Sequence, residues 1–200
     1  CVKGKKHDNH QILYGMTKET VTPETDKISY SDQASEEHKM KISIRKCDQK
    51  TKAVLSGAKF EFFRDDKSVG TAVTGEDGTA SFIYKENLKT QTKKVTKQYI
   101  KNWNELAKDQ QQDYTKKGYY DSKAKALQAA KKEVQVQLEN LIKDQKSQSH
   151  TWKVKEIEAP HGYELDSTQK TVKKTSDTTE VDFGDFYNKE KKFRIEINKK

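Results

Sequence analysis

The sequence predicts a mainly β protein, a Greek-key sandwich interrupted by an α-helical hairpin. Three observations predict it. Ile42 and Ile44 alternate with Lys41, Ser43 and Arg45, the two-residue period of a half-buried strand. Between about residues 93 and 146 there is no Pro, Gly118 is the only Gly, and apolar residues recur at steps of three and four. After residue 150 the two-residue period returns, with Trp152, Val154 and Glu156 on one face. Strands on both sides of a helical insertion, joined elsewhere by short turns, give the sandwich.

Taken in order, residues 1–39 are polar and rich in Thr, Lys, Asp and His, with one apolar patch at Ile12-Leu13-Tyr14. They read as a linker or the remnant of a preceding domain. The sandwich is expected over residues 40–192. After its first strand, Leu55 to Phe63 reads as a second, entered through Gly57. Glu76-Asp77-Gly78 is a turn, and Thr79 to Tyr84 the strand after it. The insertion spans about residues 91–148. Val95, Tyr99, Ile100, Trp103 and Leu106 fall on one helical face, and Leu127, Ala130, Val134, Leu138, Leu141 and Ile142 on another. Gly118 sits in the turn between the helices, and Asp121 or Ser122 caps the second. Ala159-Pro160-His161-Gly162-Tyr163 interrupts the returning strands. A Thr- and Lys-rich edge strand and a last strand, Val181 to Asn188, complete the domain. In residues 193–200, Ile195-Glu-Ile197-Asn-Lys199 repeats the rhythm of Ile42-Ser-Ile44-Arg-Lys46. Two readings of it stand: the first strand of a following domain, or an unpaired tail.

Composition limits the core and excludes several functions. Of the 200 residues, 31% are hydrophobic and 36% charged, enough for a sandwich of about 100 residues and helices with one apolar stripe each. No run of about eighteen apolar residues is present to span a bilayer. The chain begins with Cys1 rather than Met and carries no signal-peptide pattern, as a processed chain or a fragment would. Cys1 and Cys47 are too few for a disulfide framework, and the five histidines are scattered, so no metal or other cofactor is expected. The net charge of +9 invites a nucleic-acid partner, but Arg45, Arg64 and Arg194 are the only arginines among 40 basic residues. Arginine reads phosphates and base edges, so this charge reads as a solvated surface.

Five motifs in order carry a resemblance. They are Lys46-Cys-Asp48, Leu55-Ser-Gly57-Ala58-Lys-Phe60, Asp77-Gly78, Glu156-Ile-Glu-Ala159-Pro160-His-Gly162-Tyr163 and Phe186-Tyr-Asn188-Lys. Together they resemble the Cna B-type, SpaA-like domains of Gram-positive pilins and adhesins, Ig-like sandwiches that form internal isopeptide bonds. The resemblance spans about residues 40–192 with the hairpin as an insertion. It implies a reactive lysine at Lys46, an acceptor amide at Asn188 and a catalytic carboxyl at Glu156. The residues themselves are compatible with this. Lys46 shares the parity of Ile42 and Ile44, Glu156 that of Trp152 and Val154, and Asn188 that of Phe186. Burial in an apolar core disfavours charge on both Lys46 and Glu156, and a neutral amine is a nucleophile. In this reading the acid form of Glu156 hydrogen-bonds the Asn188 carbonyl oxygen and shuttles protons to departing ammonia. A one-residue slip in register would turn every side chain over, which makes Lys41 and Glu158 the alternates. Cys47 is expected to face outward.

Two functions are weighed. One is a non-enzymatic stalk or pilin-type module on the outside of a Gram-positive cell, in its wall or pilus, with neighbouring domains of the same protein as partners. The other is an adhesin module gripping a host protein or glycan through the insertion. That segment holds 13 Lys against 7 Asp and Glu between residues 90 and 146, along with Trp103, Tyr114, Tyr119 and Tyr120. No nucleophile–base pair or phosphate loop argues for an enzyme that turns over.

Overall fold

The structure, a computed structural model, describes residues 20–192. Cys1, the Ile12–Tyr14 patch and the 195–199 repeat lie outside the described residues. In chain order the elements are strands β1 (Thr25–Asp32), β2 (Ser35–Asp48), β3 (Lys59–Arg64), β4 (Lys67–Val73), β5 (Thr79–Lys89) and β6 (Lys93–Ile100). A 3-10 turn at Trp103–Glu105 and helices α1 (Lys108–Lys116) and α2 (Lys123–Lys146) follow, then β7 (Ser149–Glu158), β8 (Gln169–Thr175) and β9 (Glu180–Asn188). The described residues divide into two units, residues 20–34 with 90–140, and residues 35–89 with 141–192.

The second unit is the sandwich. One sheet has the order β5-β2-β9, with β2 antiparallel to β5 and parallel to β9. The other is antiparallel throughout, in the order β4-β3-β7-β8, which leaves the Thr- and Lys-rich β8 at an edge. Alternation turns Met40, Ile42, Ile44 and Lys46 of β2 inward, all buried. They meet Phe60 and Phe62 of β3 and Trp152 and Val154 of β7 in a single core. Ring contacts join the layers: Phe60 with Phe186 at 5.4 Å, Phe62 with Phe82 at 5.8 Å, and Tyr84 with Trp152 at 5.1 Å. Burying side chains of this size contributes roughly 1.5–3 kcal/mol each.

The other unit has its own small core. Strands β1 and β6 pair antiparallel, from Thr25 opposite Ile100 to Asp32 opposite Lys93. Ala130, Val134 and Leu138 of α2 pack with Val95, Tyr30 and Ala34. Residues 93–100 are therefore a strand and not the first part of a helix. The reason is that Val95 and Tyr99 are four residues apart, a spacing that keeps one face of a helix and also one face of a strand. The stretch read as a linker supplies the pairing partner, β1. Helix α2 starts as its sequence suggests, with Ser122 Oγ accepting the Lys125 N–H at 3.2 Å and Gly118 in the preceding turn at φ +93°.

Cys47 is buried and free, contrary to the outward position expected of it. Residues 53–55 return along the end of β2, where Asp48 N–H donates to Ala53 O and Leu55 N–H to Lys46 O, each at 2.8 Å. Lys46, Cys47 and Asp48 are consequently all enclosed.

Strand β9 carries an irregularity that aims the end of the chain. Ser43 lies opposite Asp182 and Arg45 opposite Asp185, so β9 has one residue more than β2 across that step. Gly184, at φ +77°, absorbs it. Upstream, Val181 and Phe183 are buried; downstream, Phe186 and Asn188 are. Without the bulge, Asn188 would share the exposed face of Glu180 and Asp182. A Cβ at Gly184 would meet nothing nearer than Lys170 Nζ at 3.9 Å, so its substitution costs conformational energy alone. Gly184→Ala should lower stability by about 1–2 kcal/mol, seen as a lower urea midpoint at unchanged slope, and Gly184→Asn should lower it less.

Candidate cross-linking site

Three elements of the sandwich deliver three polar side chains into its core. Lys46 comes from β2 with the parity of Ile44, and Glu156 from β7 opposite Phe60. Asn188 ends β9, two residues beyond Phe186, which is the residue that faces Lys46. The Lys46 and Glu156 side chains are 0% exposed, as is Asn188. Lys46 Nζ lies 3.5 Å from Glu156 Oε2. Asn188 Nδ2 donates to Glu156 Oε1 at 3.0 Å. One carboxyl group therefore touches both the amine and the amide nitrogen, through different oxygens. Lys41 and Glu158, the alternates, are both exposed, and Glu158 pairs with Lys59 at 3.8 Å.

The surroundings are apolar. Lys46 Nζ stands 5.5 Å from the centre of the Phe60 ring and 5.2 Å from that of Phe186. Lys46 Nζ, Glu156 Oε2 and Asn188 Oδ1 are buried without a hydrogen-bond partner. Burial pushes the Lys46 ammonium below the ordinary lysine range, against the opposing pull of Glu156 and Asp166.

The amide is oriented the other way from the sequence-based expectation. Glu156 faces its nitrogen and not its carbonyl oxygen. The cause is a second acceptor: Nδ2 also donates to Glu164 O at 2.6 Å, and two acceptors select the donor end of the amide.

Glu164 and Asp166 were not singled out by the sequence. Both lie in the connection from β7 to β8, which turns sharply at Pro160-His161-Gly162-Tyr163, with Tyr163 N–H donating to Pro160 O at 3.0 Å and Gly162 at φ +86°. The chain then runs back beside the exit of β9, where Glu164 N–H donates to Lys189 O at 2.9 Å. Asp166 Oδ2 reaches 3.6 Å from Lys46 Nζ, and the Asp166 N–H donates to Glu156 Oε1 at 2.8 Å. The Pro-x-Gly-Tyr turn signals that the chain comes back here, but no periodicity in a connection says which of its carboxylates meets the lysine.

The sandwich thus buries a lysine, a carboxyl and an amide contributed by three different strands. Residues 40–101 match the SpaA family, described as a prealbumin-like fold domain. That match falls within the stretch whose ordered motifs carry the resemblance. The matched stretch includes Lys46 and ends before Glu156 and Asn188. Solved structures similar to the chain include the Bacillus anthracis TIE protein, at 14% identity, TM-score 0.40, 76% of this chain and 18% of that one. BcpA, the major pilin subunit of Bacillus cereus, is similar at 13% identity and TM-score 0.35, over 77% of this chain and 31% of that one. The full-length major pilin SpaD of Corynebacterium diphtheriae is similar at 16% and 0.34, over 78% and 31%. The chain spans less than a third of the length of each of these three. No curated protein matches it.

The connection that carries Asp166 is pinned by Tyr163, whose hydroxyl donates to Asp48 Oδ2 at 2.7 Å. That bond to a carboxylate pushes the phenol from 10.0 up to about 12, with burial adding to it. A phenol raised in the folded state stabilises the fold fully below the unfolded value of 10.0, and this contribution is lost as pH rises towards about 12. Spectrophotometric titration should show a late tyrosine step near pH 12 that disappears in Tyr163→Phe. Titration of every tyrosine near 10.0 would contradict the bond.

Proposed function

We propose that this chain is a structural module of a Gram-positive surface stalk or pilus, locked by an amide between Lys46 and Asn188. The contact of one buried carboxyl with both reacting nitrogens carries the reading. The neutral Lys46 amine attacks Asn188 Cγ and forms a C–N bond. Glu156, in its acid form, gives its proton to Nδ2 as the old C–N bond breaks, and recovers one from the attacking nitrogen through its other oxygen. Ammonia leaves, and Glu156 ends as it began. The reaction runs once per molecule, so it is maturation and not turnover.

The product suits a load-bearing role. The amide would close a loop of about 140 residues, which on the chain-entropy model for disulfides is worth about 5 kcal/mol. Strands β2 and β9 are parallel neighbours and the outermost strands of the sandwich in sequence. Tension arriving from neighbouring domains would pass from one to the other through the bond, leaving the core unstrained. A location outside the cell, on the wall or pilus, follows from the same reading. Among the described residues no helix is long and apolar enough to cross a membrane.

A ligand-binding module is the second reading, favoured by two open clefts that both have Trp103 in their lining. One, of about 370 Å³, is lined by Tyr119, Tyr120, Asp121 and Lys125; the other, of about 440 Å³, by Lys108, Gln111 and Lys116. Such volumes suit small ligands. Against it, Trp103, Tyr114, Tyr119 and Tyr120 are half-buried, and Tyr114 packs edge-on against Tyr119 at 5.3 Å.

Two measurements separate the readings. The purified protein should be lighter than its sequence by one ammonia, and Glu156→Ala should restore the full mass while keeping the fold. A full-length mass in the unaltered protein would sink the cross-link. In a glycan and matrix-protein screen at low and moderate salt, no saturable binding above background is expected. A salt-sensitive hit abolished by Trp103→Ala but retained in Glu156→Ala would make the chain an adhesin module.

A further inference from the structure

Lys46 faces a second carboxylate, Asp166, and the two acids differ in what surrounds them. The Glu156 side chain is 0% exposed, and its Oε1 already accepts from Asn188 Nδ2 and from the Asp166 N–H. Asp166 Oδ2 lies 3.6 Å from Lys46 Nζ, and its side chain is 20% exposed. Glu156 thus spans the two reacting nitrogens with a side chain that is not exposed, whereas Asp166 meets only the amine of the two and is partly exposed.

With Glu156 in its acid form from the start, as in the reaction proposed above, amide formation from an ammonium must dispose of one proton more than Glu156 can recycle. Lysinium carries three N–H hydrogens and the product amide one. Of the two that leave, one ends on ammonia by way of Glu156, and the other must leave the core. We infer that Asp166 is a catalytic base of the cross-linking reaction, taking that proton from Lys46 and passing it to solvent. In balance, lysinium and the Asp166 carboxylate give the free amine and the Asp166 acid. The amine then displaces ammonia from Asn188 as described above, and the Asp166 acid releases its proton to water. This assignment rests on the proposed cross-link and divides its acid–base chemistry between two residues.

The neighbouring ionisable groups leave Asp166 as the exit. The Asp48 carboxylate, at the end of β2, accepts from Tyr163 and from the N–H groups of Lys50 and Thr51. Lys170 of β8 stands over the Phe186 ring, but its Nζ donates to Phe183 O and Asp185 O. Glu164 contributes its backbone oxygen to Asn188. Among these groups, Glu156 and Asp166 alone pair with Lys46.

Asp166→Asn tests the assignment with little structural change. The backbone N–H to Glu156 remains, and the Asn oxygen can still accept the Thr168 N–H that Asp166 Oδ1 accepts at 3.0 Å. Full-length chains held unfolded in denaturant are refolded at a series of pH values. Aliquots are quenched in acid, and the ammonia-deficient fraction is followed by intact mass alongside circular dichroism. The unaltered protein should cross-link at a rate nearly independent of pH from mildly acidic to mildly alkaline conditions. Asp166→Asn should be slower by on the order of 100-fold at neutral pH and should rise with pH towards the unaltered rate, because hydroxide then removes the lysine proton. If Asp166→Asn does not refold, Asp166→Ser keeps an acceptor for Thr168 and is expected to give the same profile. Equal rates at every pH, or slowing by one factor at every pH, would overturn the role of Asp166 and leave the cross-link standing. Absence of ammonia loss from the unaltered protein would overturn both.

Discussion

Lys46 Nζ lies between the rings of Phe60 and Phe186, inside a core that offers it no hydrogen bond, and the free energy of that placement constrains the rest of the sandwich. Removing an ammonium from water costs several kcal/mol even after relaxation, and ion pairing offsets this only where geometry and hydrogen bonding are good. Here the pairing distances are 3.5 and 3.6 Å, long for strong ion pairs. The charged arrangement is therefore costly, and a neutral secondary amide in its place would remove the cost. In the proposed reaction this cluster is the reactant, and the apolar side chains that enclose it raise its free energy.

Holding the cluster there requires support from residues outside it. The bulge at Gly184 turns Asn188 inward, and the parallel pairing of β2 with β9 sets it near Lys46. The connection after β7 closes the site from the side. Its Pro160–Tyr163 turn reverses the chain, Tyr163 ties it to Asp48, and its next residues present Glu164 O to the amide and Asp166 to the amine. Each support is a backbone or hydrogen-bonding feature and not part of the apolar core.

The smaller unit follows other rules. A two-stranded ribbon is marginal alone, and β1 with β6 gains its stability from the apolar stripe of α2. Its three-residue and four-residue spacings are genuine, but only α2 uses them as a helix. Val95 and Tyr99 illustrate the ambiguity, because a step of four is even. Local periodicity has no means of separating the two outcomes, and the presence of a partner strand at residues 25–32 decides.

Alternation alone determined that Lys46 follows Ile42 and Ile44 into the core and that Glu156 follows Trp152 and Val154, since a strand's two-residue period is a property of its backbone. The helical rhythm of residues 123–146, the turn at Gly118 and the edge character of β8 were legible for the same reason: each is set by residues close together in the chain. Tertiary structure decided what depends on distant segments. It made residues 93–100 a strand by pairing them with β1, and buried Cys47 by returning residues 53–55 along β2. It turned the Asn188 amide towards Glu156 by placing a second acceptor, Glu164 O, beside it. And it brought Asp166 to Lys46 from 120 positions away along the chain, through a connection without periodicity, where only the folded path of the backbone says which carboxylate arrives.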